Sequence, residues 1–128
     1  MPGASAVVSG GVVAYNTALK HSLLGVDAAL LASRGAVDPD VAAAMADGVR
    51  WACAIDGVPA SIGLSTTGVA GPDPQDGKPV GTVFIGVSTD AGTRVFDLTL
   101  GGARNVLRRR VVSESLVQLK KVLTETET

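Results

Sequence analysis

The sequence predicts an α/β protein, a mixed-sheet α/β/α sandwich folded as a single domain over residues 1–123 with a polar tail at 124–128. Three observations predict it. Two apolar runs of strand length, Ala60–Leu64 and Val80–Val87, flank a glycine- and proline-rich loop, and an alternating run follows them. Three short segments upstream each open on a residue that caps helices. The last long segment repeats its apolar residues at helical spacing. With 128 residues the chain can enclose one core, and with aromatics at 3% against 46% apolar residues that core is built from Val, Leu, Ile and Ala.

In order, Ala6 to Tyr15 reads as a strand interrupted by Gly10-Gly11. Asn16 caps a helix over Thr17–Leu24, which Gly25 ends in the left-handed conformation. Asp27 caps the next, Ala28–Arg34, closed by Gly35. Asp38-Pro39 is the cleanest start, a capping carboxylate before a proline at the first helical position, and this helix runs to about Ala52. Strands follow over Ala60–Thr66 and Gly81–Ser88; the second, apolar on both faces, belongs inside the sheet. Asp90-Ala91-Gly92 turns the chain into a strand whose Phe96, Leu98 and Leu100 face one way and whose Val95, Asp97 and Thr99 face the other. A long helix over Ala103–Val122 closes the order, with Val112, Leu116, Leu119 and Leu123 as its expected core stripe. Thr124–Thr128 is expected to fray.

Candidate chemistry gathers around Ser65-Thr66-Thr67-Gly68-Val69-Ala70-Gly71-Pro72. Gly68 and Gly71 drop the Cβ where the backbone turns tightly or approaches a ligand, and Thr66 and Thr67 place hydroxyls at the end of a strand. Lys20 follows Tyr15 by five residues, so both can face one site; an amine screened from water can act as a base, although the residue alone also reads as a solvated helix lysine. Arg104 and Arg108 stand one turn apart at a helix start after Gly101-Gly102, where free N–H groups and two guanidinium forks suit a phosphate. Arg109 and Arg110 read as a solvated basic face, Arg110 pairing with Glu114. Gly71 to Lys78 is not a phosphate-binding P-loop, because Pro72 replaces the first glycine and Pro79 follows the lysine. Lys78 reads instead as a loop residue packed beside the site.

Other classes find little support. The net charge of −1 without a basic stripe argues against a nucleic-acid footprint. No apolar run is long enough to span a bilayer, and no basic-then-apolar leader opens the chain. The single Cys53 rules out an internal disulfide, fits a reducing compartment and reads as a small buried hydrophobe, so a cytoplasmic protein is expected. Asp73 and Asp76 read as turn residues, and His21, alone, builds neither a metal site nor a Ser-His-Asp triad.

The segment TTGVAGPDPQDGKPVGTV resembles the signature loop of the CinA C-terminal domain family, the nicotinamide-nucleotide amidases. Pro2-Gly3-Ala4-Ser5-Ala6 with Gly10-Gly11-Val12-Val13-Ala14-Tyr15-Asn16, then Lys20, Leu24-Gly25-Val26, Gly35-Ala36-Val37-Asp38, and Gly102-Ala103-Arg104 with Arg108, follow the family pattern in order to about Leu119. The resemblance implies a CinA-like α/β fold and hydrolysis of nicotinamide mononucleotide to nicotinic acid mononucleotide and ammonia. Lys20 would be the base, Tyr15 and Thr67 would line the site, and Arg104 and Arg108 with Gly68 and Gly71 would hold the nucleotide, with no metal or cofactor. Relatives tend to pair, so a homodimer is an expectation of the same kind. Two departures stand out. Ala103 replaces the usual aspartate, and the family's strand and A-E-S-x-T-G-G segment, which carries its proposed serine nucleophile, have no counterpart here. Ser5 and Ser9 lie nearby but lack that context. The expectation is therefore of a start inside a longer reading frame or of a short variant, with impaired catalysis, a nucleotide-binding module without chemistry, or a poorly folding fragment as the three outcomes.

Overall fold

The structure, a computed structural model, describes residues 2–126. Capping residues set the helices where the sequence places them. Asn16 Oδ1 accepts from the Ala18 N–H at 2.9 Å and opens α1, Thr17–Ser22. Asp27 Oδ1 accepts from the Ala29 N–H at 2.8 Å and opens α2, Ala28–Arg34. Asp38 Oδ2 accepts from the N–H groups of both Asp40 (2.9 Å) and Val41 (3.3 Å), with Pro39 at the first position of α3, Pro39–Ala52. α1 ends earlier than expected, in a left-handed glycine cap: Gly25 N–H donates to His21 O, Val26 N–H donates to Lys20 O, and Gly25 takes φ 70°.

The sheet contains β1 (Gly63–Gly68), β2 (Thr82–Thr89) and β3 (Gly92–Thr99) in that spatial order, and among the described residues it is antiparallel throughout. It is not mixed, because each connection returns the chain directly beside the strand it has just left, with Thr67 opposite Phe84 and Ile85 opposite Phe96. β1 starts three residues later than the sequence implies. Arg50 holds the chain just before it: Nε donates to Ala60 O at 2.7 Å, while Ala60 N–H donates to Arg50 O at 2.9 Å. The expected strand Ala6–Tyr15 does not form. Residues 4–6 make a short 3-10 turn, and the extended stretch after it has no ladder partner among the described residues. Only Val12 and Ala14 pack inward, against the cluster of Leu24, Val26, Val41 and Met45, while Val7, Val8, Val13 and Tyr15 are exposed.

Period-two alternation divides the sheet's faces. Phe84 and Val95 join Val37, Ala42 and Val69 on the α3 side. Val83, Ile85, Val87, Phe96 and Leu98 join Leu100, Leu107 and Val122 on the other side, under α4, Arg104–Thr126. Three layers result: helix, sheet, helix. α4 is rotated about a quarter turn from the orientation its leucines predict. Leu107, Ser115 and Val122 are buried on the sheet, with Val111 and Leu119 beside them, whereas Val112 and Leu116 are 59% and 55% exposed. The helix also continues past Thr124 to Thr126, helped by Thr124 Oγ1 donating to Lys120 O and by an ion pair between Arg94 and Glu125; Glu127 and Thr128, the end of the expected frayed tail, lie outside the described residues. Among the described residues, no helix is long and apolar enough to cross a membrane.

Candidate functional site

Lys20 is buried at 8% exposure on a helix only six residues long. The glycine cap after α1 and the packing of Leu24 and Val26 on α3 pull this side of the helix into the protein. The amine donates to Ala14 O at 3.1 Å. Burial alone lowers its pKa below the ordinary 10.5, because the charged form is poorly solvated there. Its neighbour His21 stays exposed, with Nδ1 2.7 Å from Val26 O.

β1 is an edge strand, and its end leads into the glycine loop. Ser65 and Thr67 point to the α3 side, as period two requires. Ser65 Oγ donates to Ala42 O at 2.6 Å and Thr67 Oγ1 donates to Ala36 O at 2.7 Å. Thr67 thus lines the site with its hydroxyl proton committed to a backbone carbonyl. The loop is closed at its base by Val69 N–H donating to Thr82 O and Gly81 N–H donating to Val69 O, each at 2.9 Å. That engages the Val69 N–H and removes it as a donor to a ligand. Gly71 has φ 87° and precedes a cis peptide to Pro72.

From the other side, Arg104 at the start of α4 donates through Nη1 to Gly71 O at 2.9 Å, which joins the helix start to the glycine loop. Arg108, one turn on, is exposed beside it. Arg110 donates to Gly101 O at 3.1 Å rather than pairing with Glu114. Ser115 continues the same helical row, buried, with Oγ donating to Val112 O at 2.8 Å.

These elements enclose one open cavity of about 790 Å³. All seven residues singled out from the sequence line it: Tyr15, Lys20, Thr67, Gly68, Gly71, Arg104 and Arg108. Tyr15 contributes from the rim and is 88% exposed. Lys78 does not line it, being held in a small turn at the loop tip. Cys53 lies away from it at the end of α3, partly exposed rather than buried. Ser65, Ser115 and Gln75, to which the sequence assigns no role of their own, and Asp73, which it reads as a turn residue, also line the cavity. Ser65 was within reach, two residues before Thr67 and so on the same strand face. Ser115 was too, seven residues after Arg108 on the same helix face. Among the described residues no three His, Cys, Asp or Glu side chains gather where they could hold a metal ion.

Fold and cavity together define a small three-layer α/β/α domain with a buried lysine and an arginine pair around a glycine loop. The CinA C-terminal domain family matches residues 1–123, and the chain belongs to that family. A CinA-like protein from Frankia casuarinae is 47% identical over 123 residues, a match covering 96% of this chain and 27% of that protein. The chain thus spans little more than a quarter of that relative's length. The crystal structure of the competence/damage inducible protein CihA from Agrobacterium tumefaciens matches with a TM-score of 0.85 and 31% identity, over 94% of this chain and 72% of its own. A competence-damaged protein (CinA) superfamily protein from Enterobacter cloacae matches at 0.80 and 26% identity, over 88% of this chain and 64% of its own.

Proposed function

We propose that this chain carries the base and the phosphate cradle of a nicotinamide mononucleotide amidase. One observation carries the reading: a lysine amine, buried and shifted by burial alone, opens onto the same cavity as the glycine loop and Arg104 and Arg108. The 5′-phosphate lies against Arg104 and Arg108 at the helix start, where charge and free N–H groups favour an anion. The carboxamide reaches toward Lys20. There the neutral amine takes the proton of an attacking hydroxyl as its oxygen bonds to the amide carbon. The C–N bond then breaks as Lys20 passes that proton to the departing nitrogen, which leaves as ammonia, and water hydrolyses the acyl intermediate to the carboxylate and restores the hydroxyl.

Three hydroxyls of the cavity lining are already engaged with the backbone. Ser65, Thr67 and Ser115 each donate to a backbone carbonyl, and Lys20 donates to Ala14 O. The same observation favours a second reading, a nucleotide-binding module without turnover. The two are separated by adding nicotinamide mononucleotide to the full chain and measuring thermal shift and released ammonia together. Binding with slow turnover that Lys20→Ala abolishes supports the amidase. Binding without turnover supports the module. Absence of any thermal shift refutes both.

A further inference from the structure

The loop tip contains a contact that the proposed chemistry does not use. Gln75 and Lys78 face each other across a two-residue turn, with Gln75 N–H donating to Lys78 O at 3.1 Å and Lys78 N–H donating to Gln75 O at 2.8 Å. The turn residues Asp76 and Gly77 take φ 51° and 74°, the left-handed pair of a type I′ turn. This geometry aims the Asp76 carboxylate back at the end of α2. Its Oδ2 accepts from the Ala36 N–H at 3.1 Å, across forty residues of sequence, and lies 3.4 Å from Gln75 Nε2. The fit is close: a Cβ added to Gly35 would fall 2.6 Å from that oxygen, so α2 must end on glycine for Asp76 to reach it.

The peptide it reaches matters. Ala36 is buried, lines the cavity, and accepts the Thr67 hydroxyl at its carbonyl. Ala36 is therefore gripped from both ends, by the loop tip through its N–H and by β1 through its carbonyl. Among the described residues no other side chain of 72–79 hydrogen-bonds outside that loop. Asp73 and Gln75, which line the cavity, lie on the loop that this contact ties to Ala36, while Gly71 is held separately by Arg104.

We propose that Asp76 is a positioning residue for the ligand cavity, latching the glycine loop to Ala36 and so fixing the wall that faces the nucleotide. The proposal rests on the reading of the cavity as a nucleotide site, and its test keeps the two apart. Asp76→Gly keeps the left-handed turn and removes only the acceptor, while Asp76→Asn keeps both turn and acceptor. Hydrogen exchange at the Ala36 amide reads the latch without any ligand; it is expected to accelerate in D76G and to stay protected in D76N. Nicotinamide mononucleotide reads the wall. In D76G its dissociation constant, and KM where turnover is measurable, rises about tenfold, the size of one lost charge-assisted hydrogen bond, with kcat held within about twofold. D76N restores both readouts. Ala36 exposure in D76G with unchanged mononucleotide affinity overturns the proposal, as does a D76N variant that behaves like D76G. Should the unaltered chain not bind the mononucleotide, the function proposed above falls, and unchanged Ala36 protection in D76G then overturns the latch by itself.

Discussion

Replacing Gly86 with alanine sets two effects of opposite sign against each other. Gly86 lies in the middle of β2, the central strand, with its α-carbon facing α3. Backbone entropy alone makes alanine better there by about 0.5–1 kcal/mol. The structure opposes this. A Cβ at Gly86 would stand 2.6 Å from Ala42 O and 2.6 Å from Ser65 Oγ, inside the hydrogen bond that joins those two atoms. The Ala42 carbonyl belongs to α3 and cannot swing away, so the helix must lift from the sheet, at the cost of about 1–3 kcal/mol typical of overpacking. Separating Ser65 from Ala42 adds about 1 kcal/mol. The contact terms win, and G86A is expected to destabilise the fold by about 1–3 kcal/mol, a fall in Tm of about 5–10 °C for a chain of this size. Urea unfolding followed by circular dichroism measures it. A second variant refines the test: Ser65→Ala removes one of the two clashing atoms, so the double variant should lose at least about 0.5 kcal/mol less than the two single losses added together. A G86A protein as stable as the parent or more stable, or strictly additive losses, would refute the claim that α3 rests directly on the central strand.

Three further outcomes follow from the same packing and electrostatics. Leu107→Ala should cost about 2–5 kcal/mol as a buried truncation, whereas Leu116→Ser on the exposed face of α4 should move stability by less than about 0.5 kcal/mol, both read by urea titration. Arg104→Ala should weaken binding of nicotinamide mononucleotide more than binding of nicotinamide riboside, which lacks the phosphate; equal losses in calorimetry would remove Arg104 from the phosphate site. Lys20→Met should raise stability at pH 7. The folded amine titrates below the unfolded value of 10.5, so the unfolded chain holds the extra proton between those two values and stability rises with pH across that window. The advantage of K20M should therefore shrink toward zero as unfolding is repeated up to pH 10.5, and a constant difference would contradict the burial of the amine.

What could be read from the sequence was local. Asn16, Asp27 and Asp38 announce their helices because a capping side chain acts within two or three residues of itself, and Gly25 and Gly35 mark left-handed turns for the same reason. The α/β sandwich class and the hairpin of β2 and β3 followed from spacing in the same way. What failed depended on distant partners. Ala6 to Tyr15 reads as a strand interrupted by Gly10-Gly11, but a strand needs a neighbour, and no pattern within the segment reveals that none of the described residues pairs with it. On α4 the leucines outweigh Ser115, so the strongest apolar stripe lies about a quarter turn off the sheet, with Leu119 packed and Val112 and Leu116 exposed, while a serine is buried; the helix is oriented by Leu107 and Val122 against strands in other parts of the chain. The cavity was legible as a set of residues and not as a set of contacts. Thr67 is where the glycine loop implies, but its partner is a carbonyl thirty-one residues upstream. Asp76 reads as a plain turn residue until Ala36 is seen beneath it.

The function proposed for the cavity turns on Lys20, and its amine can be followed directly. With lysine labelled at Cε and Nζ, heteronuclear NMR of the full chain gives the titration midpoint of this residue, assigned by its loss in K20M. Burial predicts a midpoint clearly below 10.5, and the proposed function predicts a shift of the same resonance when nicotinamide mononucleotide is added. A midpoint at or above 10.5, with a resonance that ignores the mononucleotide, would make Lys20 an ordinary surface cation and contradict the reading of the cavity.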